Sequence, residues 1–191
     1  MPCKALCGNW MADQERQRLF FALWPDEPQR SQLASYYPML RGCAGRKVPP
    51  ENQHITLAFL GSTDAATRHC LEQEADGILL PPFTLQLDQL GFWRRPQVVW
   101  LGASVTPEPL LALSAALKKA MLACGLEPES RPFQAHLTLL RKARRAPPER
   151  NAAVLSWPVG EFVLVASETR PEGASYQVLR RWPLTGTASC S

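Results

Sequence analysis

His54-Ile55-Thr56-Leu57-Ala58-Phe59-Leu60-Gly61 and His136-Leu137-Thr138-Leu139-Leu140-Arg141-Lys142 are two copies of one pattern, His-x-Thr-Leu opening an apolar run. Runs of this length and composition read as β-strands. A strand sends residues i and i+2 to the same face. Each copy therefore sets an imidazole beside a hydroxyl and turns Ile55 or Leu137 into a core. The chain has three histidines. With threonine at roughly one residue in twenty, two of the three gain it at i+2 by accident in on the order of 1% of such chains. The repetition is signal, where a single His-x-Thr would carry nothing. Two such pairs facing one cleft supply two groups that exchange protons near neutrality and two hydroxyl donors.

Upstream of the first copy, Arg18–Trp24 (RLFFALW) reads as a buried strand ended by Pro25. Asp26 is placed to cap a helix over 27–40, where Leu33, Tyr36 or Tyr37, and Leu40 recur at helical spacing. A turn-rich basic segment leads into the first motif strand, expected over 53–60 and broken by Gly61. Thr63 or Asp64 caps a second helix to about residue 78, with Leu71, Ala75 and Ile78 on one face. PPFTLQLDQLGFWRRPQVVWLGA (81–103) reads as two strands around a loop at 91–97. Thr106, Pro107 and Glu108 start a helix and Gly125 stops it, with Leu110, Leu113, Leu117, Met121 and Cys124 as a core stripe. The second motif strand follows at about 134–140. A polar, proline-rich stretch (RKARRAPPER, 141–150) then precedes strands near 160–167 and 175–182. Helices interleaved with hairpin-like strand pairs imply α+β with largely antiparallel sheets. Pro50 before His54 and Pro132 before His136 add a faint internal echo, as in a pseudo-symmetric, two-lobed molecule with one motif per lobe.

The 191 residues suffice for one domain or two small lobes with a real interior, and 46% hydrophobic against 20% charged residues indicates a globular chain. We expect a flexible extension over 1–15, a domain over 16–184 and a tail over 185–191. The net charge of +4 has the sign that suits an anionic substrate, without the strength of a protein that coats nucleic acid. The six cysteines lack zinc-finger or C-x-x-C spacing and are expected to be reduced thiols. No run approaches membrane-spanning length and no signal peptide is apparent, so a cytoplasmic monomer is expected.

Paired H-x-T-L strands, with RLFFALW, HITLAFLG, VVWLG, RPFQAHLTLLRK and RRWPL around them, resemble the 2H phosphoesterase superfamily, and within it the bacterial RNA 2′,3′-cyclic phosphodiesterases, also described as 2′-5′ RNA ligases. The likeness spans roughly residues 16–184. It implies a bilobal α+β fold, two antiparallel sheets forming a central cleft with helices outside, no metal and no cofactor. It implies hydrolysis of an RNA 2′,3′-cyclic phosphate end to a 2′-phosphomonoester. His54 and His136 match the family's catalytic histidines, with His136 as base and His54 as acid, and Thr56 and Thr138 its phosphate-binding partners.

Ring opening needs water to lose a proton at phosphorus while the departing ribose oxygen gains one, and an imidazole suits both steps. The threonines are natural donors to the non-bridging oxygens, and Arg141 is the candidate phosphate clamp. Strand parity opposes Arg141, because 136, 138 and 140 share a face. Phe59 and Trp93 are candidates to stack on a base, with core packing as the other reading of Phe59. Arg46, Lys47, Arg94, Arg95, Lys142, Arg144 and Arg145 either track an RNA backbone or are solvated charges. His69 has no threonine partner and reads as structural or exposed. The same site run in reverse is an ATP-independent 2′-5′ RNA ligase. A non-catalytic RNA- or nucleotide-binding module needs no pair of titrating groups, and a metal-dependent phosphodiesterase needs carboxylate or histidine clusters that are absent from the sequence.

Overall fold

The computed structural model describes residues 16–148, 151–170 and 173–186. The expected extension over 1–15 lies outside them. Of the expected tail, residues 185 and 186 are described, and Gly186 N–H donates to the Leu80 carbonyl at 2.9 Å.

Nine strands and three α-helices make up the described fold. Strand β1 (Gln17–Leu23) is followed by α1 (Glu27–Ala34), capped by the Asp26 carboxylate, which accepts from Gln29 N–H at 3.4 Å. The helix expected to reach residue 40 stops at Ala34, and a 3₁₀ segment over Tyr37–Cys43 takes over. Pro38 is the reason: it brings no N–H for the Ala34 carbonyl four residues back, and its ring crowds that carbonyl. Tyr36 and Leu40 are nonetheless buried as their spacing predicts. A short β2 (Arg46–Lys47) precedes the first motif strand, β3 (Ile55–Thr63). Gly61 does not end β3. It sits at φ 72° where the pairing with β1 slips between Leu19 and Phe20, so it is absorbed as a bulge. Asp64 caps α2 (Ala65–Asp76) by accepting Thr67 N–H at 2.8 Å. Then come β4 (Phe83–Trp93), β5 (Val98–Gly102), α3 (Glu108–Ala123), the second motif strand β6 (His136–Arg141), β7 (Asn151–Val159), β8 (Glu161–Arg170) and β9 (Gly173–Pro183).

All the pairings are antiparallel, in the order β7-β4-β5-β6-β3-β1-β8-β9, with β2 alongside β6. The two expected sheets are thus two four-stranded halves of one ladder. They meet between the motif strands, where a single register pair, Ile55 opposite Leu137, links them. Strand β2 continues along β6 beyond that point, with Arg46 opposite Arg141. Along β1, Leu19, Phe21 and Leu23 face a core shared with Leu33 of α1, Leu71 of α2 and Leu110, Leu113 and Leu117 of α3. Phe20 and Ala22 face the other way, into a small cluster with Val163 and Val165, on which Trp24 and Tyr176 pack. Helices cover one side of this half; the aromatic side is left for a cleft.

Strand β7 was not anticipated from the sequence. Leu155, Trp157 and Val159 are buried in alternation with Ser156 and Pro158, a period-two pattern masked by the proline. Because β7 is an edge strand, the missing N–H of Pro158 costs it little. The expectation of reduced cysteines is corrected at one place: Cys70 of α2 and Cys124, the C-cap of α3, form a disulfide with Cα atoms 5.9 Å apart. Nothing in their spacing announces it, since helix packing across 54 residues creates the pair. Cys43 is a buried free thiol. Among the described residues no helix is long and apolar enough to cross a membrane.

Candidate active site

The linking rung fixes the site. Ile55 and Leu137 are fully buried, so the residues flanking them, His54 and Thr56 on one strand and His136 and Thr138 on the other, project to the opposite side. All four line a cavity of about 390 Å³, together with Arg141 and Phe59. The two histidines, the two threonines, Arg141 and Phe59, with Trp93, are therefore brought to one place.

Arg141 and Phe59 arrive there by the same device. The ladder between β5 and β6 slips between Val99 and Trp100, leaving Leu139 as an extra residue on β6. The ladder between β1 and β3 slips between Phe21 and Ala22, leaving Leu57 extra on β3. A bulge resets strand parity. Position +5 from each motif histidine, Phe59 on β3 and Arg141 on β6, thereby returns to the cleft face. This resolves the parity objection to Arg141. It also disposes of core packing for Phe59, which is 62% exposed.

Each imidazole is held by the backbone two residues before it. His54 Nδ1 lies 2.8 Å from the Asn52 carbonyl, and His136 Nδ1 lies 2.9 Å from the Gln134 carbonyl. A carbonyl only accepts, so Nδ1 carries the proton and Nε2 is left for chemistry. His54 is stacked on Trp24 (5.4 Å between centroids, 6° between planes), with Phe20 at 4.8 Å and Tyr176 edge-on at 5.0 Å. Burial in this aromatic cage pushes its pKa down to about 4, the Asn52 carbonyl opposing and the Arg141 and His136 charges adding slightly. His136 meets the edge of Trp93 at 4.5 Å. Its pKa is also lowered, by burial first, with Gln134 opposing and Arg141 adding.

Trp24, Tyr176 and Phe20 were not singled out from sequence. Trp24 closes an apolar strand and Tyr176 lies within one, and neither position announces a cage until β9 is laid against β8 and β1. Two further cavities flank the central one. That on the His54 side, about 500 Å³, includes Arg46, Lys47, Lys142 and Tyr176; that on the His136 side, about 490 Å³, includes Arg95 and Trp93. Of the other basic candidates, Arg94, Arg144 and Arg145 line neither. His69 is exposed on α2. Among the described residues no three His, Cys, Asp or Glu side chains are grouped as metal ligands.

Known proteins are similar to this chain in sequence and fold. The sequence profile of the 2′-5′ RNA ligase superfamily matches residues 24–171. An Escherichia coli protein named RNA 2′,3′-cyclic phosphodiesterase is 40% identical over 179 residues, 90% of this chain and 98% of its own length. One of the same name from Thermus thermophilus is 33% identical, covering 88% of this chain and 91% of its own length. The crystal structure of E. coli LigT complexed with 3′-AMP superposes with a TM-score of 0.83 at 38% identity, over 90% of this chain and 99% of that one.

Proposed function

Because the chain belongs to the 2′-5′ RNA ligase superfamily, we propose that it opens RNA 2′,3′-cyclic phosphate ends to 2′-phosphomonoesters by two-histidine acid–base catalysis. Water gives an oxygen lone pair to phosphorus and its proton to Nε2 of His136. The P–O3′ bond breaks, and O3′ takes a proton from Nε2 of His54. The Nδ1–H groups keep donating to the Asn52 and Gln134 carbonyls and hold both rings in register. The Thr56 and Thr138 hydroxyls donate to the non-bridging oxygens, and the Arg141 guanidinium balances the charge that gathers there.

The acid's proton is taken up from solvent when the anionic substrate binds. In the free protein burial favours the neutral form of both histidines at pH 7. A bound phosphate adds an anion beside the rings and offsets Arg141, which favours the imidazolium. The Trp24 face under His54 favours the same form. No residue from a second chain is required, and we assign the activity to a monomer in the cytoplasm.

The convergence of His54, Thr56, His136, Thr138 and Arg141 on one cavity carries this reading. Phosphorus NMR of the product from an oligonucleotide ending in a 2′,3′-cyclic phosphate tests it, with a 2′-monoester expected and a 3′-monoester refuting the assigned direction. His54→Ala and His136→Ala should each lower kcat by about 10²–10⁴-fold while 2′-AMP binding stays within about tenfold. A wild-type protein that binds 2′-AMP yet never consumes the cyclic ester is a binding module instead.

A further inference from the structure

In the sheet the two motif strands share one register pair, Ile55 opposite Leu137. A buried chain of hydrogen bonds crosses the same seam. Gln53, the residue before His54, is 1% exposed. Its Nε2 donates to the Tyr37 hydroxyl at 2.7 Å, and that hydroxyl donates to the Val48 carbonyl at 3.0 Å. Val48 N–H in turn donates to the Leu139 carbonyl at 2.9 Å, and the Tyr37 oxygen lies 3.5 Å from the same carbonyl. Leu139 is the extra residue on β6 that returns Arg141 to the cleft. One path of bonds thus runs from the entry of the first motif strand to the bulge that aims the arginine.

Packing does not account for the amide in this path. Gln53 Oε1 is buried and no group among the described residues donates to it. A buried carbonyl without a partner destabilises a fold, and an apolar side chain of similar volume would avoid the penalty. What the amide adds is the bond that orients Tyr37. Burial raises the pKa of this phenol, with Gln53 opposing, so the hydroxyl keeps its proton across the range in which the histidines titrate. The Tyr37 ring also lies beneath Lys47, whose Nζ is 4.8 Å from the centroid. Lys47, His54 and Arg141 all line the cavity of about 500 Å³.

On the two-histidine reading above, we propose that Tyr37 is a positioning residue for the phosphate: its hydroxyl, oriented by Gln53, locks the Leu139 bulge and so fixes the reach of the Arg141 guanidinium to the anion between His54 and His136. A bulge re-aims the residues beside it. Without the hydroxyl, Val48 loses a tie to the first motif strand, the Leu139 carbonyl is held less firmly, and the guanidinium loses its set distance to the non-bridging oxygens.

The test compares wild type, Tyr37→Phe, Arg141→Ala and the double variant in two measurements: calorimetric binding of 2′-AMP, and kcat/KM for an oligonucleotide ending in a 2′,3′-cyclic phosphate. Tyr37→Phe keeps the ring beneath Lys47 and removes only the hydroxyl. It should weaken 2′-AMP and lower kcat/KM by about tenfold each, the order expected for one charge-assisted hydrogen bond. In the Arg141→Ala background the same change should move both by less than about twofold, because the two residues act as a unit. Gln53→Met should reproduce Tyr37→Phe, and it supplies the comparison if Tyr37→Phe does not fold. The proposal is overturned if Tyr37→Phe binds 2′-AMP as wild type does, or if its loss in the Arg141→Ala background exceeds about twofold, as a merely structural tyrosine would give. Binding needs no turnover, so a wild type that binds 2′-AMP and consumes no cyclic ester removes the hydrolase reading and leaves the role of Tyr37 to be decided by affinity alone.

Discussion

His54 and His136 share a local device, an Nδ1 proton given to the carbonyl two residues back, but not an environment. Three aromatic rings enclose His54, whereas one ring edge touches His136. Both pKa values lie below the ordinary 6.5 in the free protein, and on the proposed mechanism a bound phosphate anion should raise them. The profile of kcat/KM, which reports free enzyme, should therefore have its optimum at lower pH than that of kcat. Coincident optima would show that the anion does not reset the pair. The same depression links to stability. An unfolded chain protonates this histidine as pH falls through about 6.5, and the native chain only near 4. Native stability on this account is complete above 6.5 and is lost between 6.5 and 4, by roughly 3 kcal/mol at about 1.4 kcal/mol per tenfold in proton affinity. Urea midpoints of wild type and His54→Gln across that interval measure it, and equal pH slopes would refute it. The histidines and threonines were legible because strand parity fixes i and i+2 together. Trp24 and Tyr176 were not, because their role exists only once distant strands are side by side.

Among the elements, β3 and β6 repeat more than a motif. Each carries an extra residue three positions after its histidine, and each thereby returns position +5 to the cleft. A bulge belongs to a pair of strands rather than to one sequence, so Arg141 looked misplaced until β5 was laid beside it. Strand β4 contributes from behind. Gly91 stands opposite Trp100, and a methyl group there would lie 2.0 Å from the indole. Trp100 in turn carries Trp93, 5.4 Å away, whose edge abuts His136. Gly91→Ala should destabilise the fold by about 1–3 kcal/mol through overpacking and slow turnover by displacing Trp93. Denaturant midpoint and kcat measured together check it, and a variant matching wild type in both would show the indole free to move. Caps and helix starts were read from short polar signals such as Asp26 and Asp64. The extent of α1 and the existence of β7 were obscured by Pro38 and Pro158, whose effects depend on helix position and on which strand forms the edge.

At the level of the molecule, the two halves mirror each other about the motif strands, β9-β8-β1-β3 against β7-β4-β5-β6. The α+β class was legible from alternating periodicities; the way the halves are laced together was not, since no local pattern encodes it. The Cys70–Cys124 bridge joins α2 to the end of α3 and closes a stretch of 54 residues. Chain-entropy arguments give such a loop about 4 kcal/mol. Cys70→Ser should lower stability by up to that amount while leaving kcat at 25 °C within about twofold, checked by guanidinium unfolding and initial rates. An unchanged midpoint would mean that helix packing alone holds α2 to α3. The rung between Ile55 and Leu137 has the last consequence. Because one register pair joins the two motif strands within the ladder, the gap separating the two proton carriers follows how β3 and β6 meet at that point. Side-chain repacking around Ile55 should therefore shift the spacing of the imidazoles, a means of tuning catalysis without touching either.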